Sequence, residues 1–518
     1  MENAMKETRT VFEMMNSYLR RYSSLCLFGA VVFFTTGFQI SCPPPETLEN
    51  IDTDFNPAFH EGASNGDYYA PPKIKAIAVD QRTGSFFVGG SFYSIDNVPA
   101  VNIAFYDKTR DRFYRLFGKG LTFPTIFAGS SVNALAISGE YLYIGGRFSQ
   151  TANASPTTNL DNIARYYIGN GSLEAIEQGF FSAVSNNGLN GEVNALEVFD
   201  NDLYVGGWFT DTSAGSVSGL NMLGRYAMNC GSNCWSAVHN GFNGVVWALE
   251  KGKYATTFDV LYIGGEFTQL VGSMSVVNRF TAYRPSDNAM ITSFPGLNGR
   301  VKALAYSAND SRIYAGGSFT ANADNSLTLN RIAYTSTSGG GWTAFAAGGF
   351  NGDVNALAVR EYLLFVGGDF TQLSSGVAHN RITYIDPLHP FGEAWITVPF
   401  SGLNATVNAL GIDEGDELNG LIVGGDFTQT GDGTTNTNLK RITKYDVFIG
   451  NQLHHSVAGT DPITGLSPLG LSNGRTLNNT VAALAADANG NVYAGGSFTA
   501  TANAVSYTHL TLPTSDLV

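Results

Sequence analysis

Three carboxylates occupy one repeated slot in this chain. Glu266, Asp369 and Asp426 each follow a Gly-Gly pair and precede a Phe, and in other copies the slot holds Ser91, Arg147, Trp208, Ser318 and Ser497. Equivalent slots lie at equivalent radii if the copies surround an axis. The three acids would then form a ligand ring, able to hold a cation or a polar molecule at one mouth. The competing reading leaves them in solvent at strand ends. His454-His455 is the sole adjacent histidine pair and lies in the longest insertion. Such a pair has the donors for a metal, though neighbouring loop histidines more often face water. The turn Asp413-Glu414-Gly415-Asp416-Glu417 offers oxygens to calcium without the spaced ligands of a specific loop. No cofactor is expected beyond that calcium possibility.

The cysteines give a different chemistry. Cys230 and Cys234 stand in Cys-Gly-Ser-Asn-Cys, and His239 is the one histidine nearby. A zinc site needs about four ligands, so a local disulfide is expected. The repeated Arg279, Arg331, Arg381 and Arg441 mark the same strand in four copies, which reads as structural. No serine nucleophile elbow and no zinc-protease helix is present. A formal net charge of -14 and a pI near 4.9 exclude a nucleic-acid surface built on clustered Lys and Arg.

These residues sit on a repeat. Gly-Gly pairs begin at Gly89, Gly145, Gly206, Gly264, Gly316, Gly367, Gly424 and Gly495. Upstream of each runs a segment of the form Val-x-Ala-Leu, such as Val193 to Leu196, whose apolar residues alternate as in a strand. The Gly-Gly strand follows after turn residues. A third strand opens on Asn and closes on Tyr, as in Asn330 to Tyr334. A fourth carries Trp in three copies, at Trp235, Trp342 and Trp395, and leads into Gly-x-Asn-Gly. Asn and Gly tolerate positive φ, so that motif reads as a sharp link.

One unit is thus four short antiparallel strands over roughly 50–60 residues, the requirement of a β-propeller blade. The fold class expected is all-β, a propeller of seven or eight blades over 52–504, with the eighth repeat cut short. The Gly-Gly pairs are read sterically, as places where a neighbouring backbone approaches. The stretch Asp52 to Phe59 is a candidate closing strand.

The combination of Val-x-Ala-Leu, Tyr-Val-Gly-Gly-x-Phe-Thr, Asn-Arg-Ile-Ala-x-Tyr and Gly-x-Asn-Gly resembles the delta-60 and kelch-like β-propeller repeats of bacterial surface proteins. The resemblance implies a propeller outside the cytoplasm and no single activity. Residues 1–42 resemble a lipoprotein leader: Arg20-Arg21, an apolar run from Leu25 to Phe38, then Ser41-Cys42. Cys42 is the expected lipid-attachment residue, with plain secretion and an uncleaved anchor as alternatives. Residues 43–51, starting Pro43-Pro44-Pro45, read as a tether. Residues 505–518 break the repeat and resemble translated sequencing-adapter sequence, so they are read as non-native.

The function expected is an extracytoplasmic binding, adhesion or scaffold module, held at the membrane by its lipid and meeting a protein or glycan at a propeller face. The alternatives are a carbohydrate-active propeller enzyme (oxidase, lyase or hydrolase) and a spacer for a further domain.

Overall fold

The computed structural model describes residues 48–51, 59–60, 72–447 and 481–496, with short gaps inside the last two ranges. Seven antiparallel blades follow one another along the chain, and among the described residues helix is almost absent. The fourth blade shows the plan. Val246–Tyr254 pairs with Phe258–Gly265, which pairs with Phe280–Arg284, which pairs with Ala289–Ile291. In the fifth blade the fourth place is taken by Thr343, which exchanges two backbone hydrogen bonds with Tyr334. Among the described residues one short α-helix, Leu173–Glu177, capped by Ser172, joins two strands of the second blade.

The glycines show how the blades are ordered. A β-carbon on the first glycine of each pair would overlap the side chain that opens the next blade's first strand. Gly89 meets Val132, Gly206 meets Val246, Gly316 meets Val354 and Gly367 meets Val407. Gly424, in the seventh blade, meets Ile74 of the first. The ring therefore closes at seven. The second glycine has another neighbour: Gly90 abuts the Lys73 carbonyl and Gly425 the Thr406 carbonyl, within their own blades. That close approach follows from a β-bulge. In every blade the register slips between the Val and the Ala of Val-x-Ala-Leu, as between Val301 and Ala303. The x residue is the extra one, and a bulge re-aims its side chain.

Closure draws on both ends of the ring. The seventh blade consists of Val407–Ile412, Gly420–Gly425, Ile442–Val447 and a fourth strand, Leu48–Ile51, paired to Ile442–Val447. The sequence placed the closing strand at Asp52 to Phe59 and a tether at 43–51. The pairing strand lies just upstream, inside the expected tether. An unpaired third strand would leave an open row of N–H and C=O groups, which Leu48–Ile51 satisfies. The eighth repeat forms a hairpin, Val481–Ala486 with Val492–Gly496, within a separate compact unit.

No blade owns its core. Each hydrophobic cluster spans two neighbours, as Tyr262 and Phe280 of blade four do with Val301, Ile313 and Ala333 of blade five. The Phe after each Gly-Gly pair is buried in all seven blades, from Phe92 to Phe427. Two stack on a Phe of the preceding link: Phe242 on Phe267 at 4.1 Å and Phe350 on Phe370 at 4.2 Å. Burying such a ring contributes about 1.5–3 kcal/mol.

The Gly-x-Asn-Gly link differs from its sequence reading. Gly188, Gly241 and Gly402 do have positive φ, at 90°, 69° and 77°, whereas the Asn does not. The Asn is a clamp. Asn243 Oδ1 accepts from the backbone N–H of Thr268 and Gln269, at 2.8 and 3.0 Å, and its Nδ2 donates to Thr268 Oγ1 at 2.9 Å. Asn190, Asn298, Asn351 and Asn404 repeat this arrangement. The left-handed residues are instead those before the third strand, including Arg279, Arg331, Arg381 and Arg441 at φ 68–73°. Arg279 and Arg331 reach the carbonyls of Leu297 and Phe350 at 2.9 and 3.0 Å, so these guanidinium groups hold the links in place.

Candidate functional site

The first strands of all seven blades surround a cavity of about 210 Å³ on the axis. Its wall is made by the Ala and Leu of Val-x-Ala-Leu, with Lys75, Trp247 and Lys302 from the bulge slot. The slots after the Gly-Gly pairs and the starts of the first strands gather at the same end of the blades, because those strands are antiparallel partners. Glu192 stands opposite Trp208, and Lys73 opposite Ser91.

The three predicted acids all lie at this end, in blades four, six and seven, but each is engaged by the blade that follows. Glu266 pairs with Arg300, which also covers the Trp247 ring at 5.0 Å, and accepts from Trp247 Nε1 at 3.3 Å. Asp369 accepts from the Thr406 hydroxyl, and from Asn355 Nδ2 at 3.4 Å. Asp426 pairs with Lys73 at 2.9 Å and accepts from Asn408 at 3.0 Å. Lys302 to Asp353, at 2.9 Å, and Asn133 to Glu192, at 2.7 Å, continue the pattern. The slot forms a belt that stitches blade to blade. Among the described residues no three His, Cys, Asp or Glu side chains lie close enough to share a metal ion.

The other predicted residues are elsewhere. Cys230 and Cys234 form a disulfide, with their Cα atoms 5.5 Å apart. Asp413 is buried and pairs with Lys108 at 2.7 Å, tying the last blade to the first, while 414–417 lie outside the described residues. Cys42, His454, His455 and 505–518 lie outside them as well. His379 is buried against Thr383 Oγ1 at 3.0 Å, and burial lowers its pKa.

The sequence reading missed two features. One is the bulge slot, whose variable residue looked like the least informative position of its motif. The other is Glu197 and Glu250, which follow the Leu of Val-x-Ala-Leu in blades three and four, where four of the other blades have Ala and the seventh has Gly. Both carboxyls are pushed above the usual range. Burial is the main cause in each, Glu197 adds to the effect on Glu250, and Lys251, 3.7 Å from Glu197, opposes it. Glu250 also accepts from the Tyr306 N–H of the next blade at 3.1 Å.

No family model matches the chain. It is 28% identical over 199 residues to "Polarized growth protein L1" of Phoma sp., a match covering 36% of this chain and 14% of that protein. The chain therefore spans about a seventh of that relative's length. Among solved structures it is similar to U3-55K, with a TM-score of 0.45 and 13% identity over 76% of this chain and 98% of that one. For the RRP9 WD40 repeats the TM-score is 0.45 and the identity 12%, over 77% and 100%. The propeller assignment rests on the blades, their register and their closure.

Proposed function

We propose that this chain is a protein-binding propeller that works outside the cytoplasm and docks its partner on the face bearing the loops between second and third strands. One observation carries the reading. Of the large apolar side chains left exposed, Trp208 at 66%, Met274 at 96%, Val276 at 53%, Leu327 at 36% and Val377 at 54% all lie at that end of four successive blades, three to six. An apolar arc rimmed by polar loop residues is what a docking surface needs. Trp208 also breaks its repeat, since the slot elsewhere in the ring holds Ser or a charged residue. Four of the five are aliphatic, which favours a protein over a glycan: they bury area and offer nothing to sugar hydroxyls. The Cys230–Cys234 disulfide supports an oxidising compartment. The leader-like 1–42 with Cys42 and the likeness to delta-60 and kelch-like repeats support lipid anchoring at a bacterial surface.

The test uses the full chain and a triple variant, W208S/M274S/L327S, presented to an array of purified extracellular proteins. A partner that binds the parent should bind the triple variant at least about thirty-fold more weakly, the loss of one hot spot. Phe258→Ser serves as control, because Phe258 is exposed at the opposite end of its blade. Binding abolished by Phe258→Ser and spared by the triple variant would refute the assignment of the face.

A further inference from the structure

The belt at the axial mouth neutralises most of its cations one by one; among the described residues Arg147, exposed in its slot, and Lys75, which lines the channel, make no ion pair. Lys302 is held by Asp353, Arg300 by Glu266 and Lys73 by Asp426. Lys75, which lines the channel, donates only to neutral groups: Ser131 Oγ at 3.1 Å and Asn133 Oδ1 at 2.9 Å. Among the described residues it makes no ion pair. An ammonium has three hydrogens, so one remains. The charges around it oppose one another: Glu192 and Asp426 attract, Lys73 and Arg147 repel. Burial is the largest influence on the amine and lowers its pKa, and neither Glu192 nor Asp426 forms an ion pair with it. A half-buried cation with two neutral partners lacks the ion that would stabilise it.

We propose that the mouth of the axial channel binds a carboxylate on Lys75. The wall behind is mostly Ala and Leu, so the other groups there do not compete for the ammonium, and a carboxylate on it would form a charge-assisted hydrogen bond. A cavity of about 210 Å³ is smaller than the usual site for a drug-sized ligand. It suits a small free carboxylate or one Asp or Glu side chain offered by a partner. Lys75 is the anchoring residue, with Ser131 and Asn133 fixing its direction. This site goes beyond the docking face and does not depend on it.

The experiment titrates the full chain at pH 7 with sodium acetate, and separately with acetyl-Gly-Asp-Gly-amide, against sodium chloride at equal ionic strength, reading the unfolding temperature. At least one of the two should raise it above the chloride control. Lys75→Met should weaken that response by about tenfold or more, and Lys75→Arg should retain part of it. A response to acetate assigns a free small carboxylate; a response to the peptide alone assigns a partner's acidic side chain. A second readout needs no variant. Acylation of Lys75, mapped by mass spectrometry, should slow in the effective ligand while that of the exposed Lys119 does not. Equal responses from the parent and Lys75→Met, or no protection of Lys75, overturn the proposal.

Discussion

Replacing Gly316 by Ala would place a methyl group in space that Val354 of the next blade already fills. The new carbon would lie 3.0 Å from Val354 Cβ, in overlap with its Cγ1, with Leu357 Cδ1 at 3.5 Å behind. Val354 is fully buried, so its side chain cannot swing into water. Overpacking of this kind costs about 1–3 kcal/mol. Val354→Ala alone removes two methyl groups, a loss of about 1.5–3 kcal/mol once the cavity is included. In the double variant the methyl added at 316 occupies the space vacated at 354. The pair should therefore be less damaging than the sum of its parts, by about 1–2 kcal/mol. Urea unfolding of the parent, both single variants and the double variant measures that coupling. Gly424 and Ile74 allow the same cycle at the seam between blades seven and one. Additivity within about 0.5 kcal/mol at the first pair would refute the interblade role of the glycines. Additivity at the second pair alone would refute a ring closed at seven.

Three further outcomes follow from single contacts. Asn351→Ala removes two acceptor bonds, to the N–H groups of Thr371 and Gln372 at 2.9 and 3.1 Å, in an exposed loop where water replaces part of the loss. A cost of about 1 kcal/mol is expected, with faster hydrogen exchange at those two amides. The raised pKa values of Glu197 and Glu250 mean that the folded chain keeps protons the unfolded chain has released. Their contribution to stability thus falls as pH rises from the ordinary carboxylate range through the raised values. Glu250→Gln, which keeps an acceptor for Tyr306, should be more stable than the parent at pH 8 and equal to it at pH 4, as read from urea midpoints. Reducing Cys230–Cys234, four residues apart, should lower stability by no more than about 2 kcal/mol, because the loop is short, and thermal unfolding should still find a folded propeller.

The fold was legible because its determinants are local and repeated. Val-x-Ala-Leu, the Gly-Gly pair and the buried Phe lie within a few dozen residues, and their recurrence gave the strand order of a blade. Closure was less legible. Whether Leu48–Ile51 or a later stretch joins Ile442–Val447 is settled by backbone pairing between the two ends of the ring, and no pattern in either segment encodes its partner. The Asn of Gly-x-Asn-Gly was misread for a related reason. Asn serves turns through its tolerance of positive φ and through its side-chain amide, and the motif alone does not distinguish the two. The Thr that follows the Phe in blades three to seven held the missing information, since Thr268 and its counterparts receive the amide.

The ring of acids shows why equivalence of position is weaker evidence than equivalence of surroundings. Glu266, Asp369 and Asp426 occupy one slot of the repeat, yet their partners are Arg300, Thr406 and Lys73, one blade onward at a position that varies freely. A carboxylate so placed faces the next blade before it faces the axis. A pairing cation or hydroxyl there converts it from a ligand into a staple. The same reasoning separates Lys75 from Lys302, the other cation lining the channel, which Asp353 holds. The onward neighbours of Lys75 in blade two are Ser131 and Asn133, and Glu192, the nearest acid ahead, receives Asn133. Two neutral side chains thus stand where a carboxylate would have completed the staple. The missing carboxylate opposite Lys75, rather than the abundance of acids, marks a place lining this channel where an outside group has something left to bind.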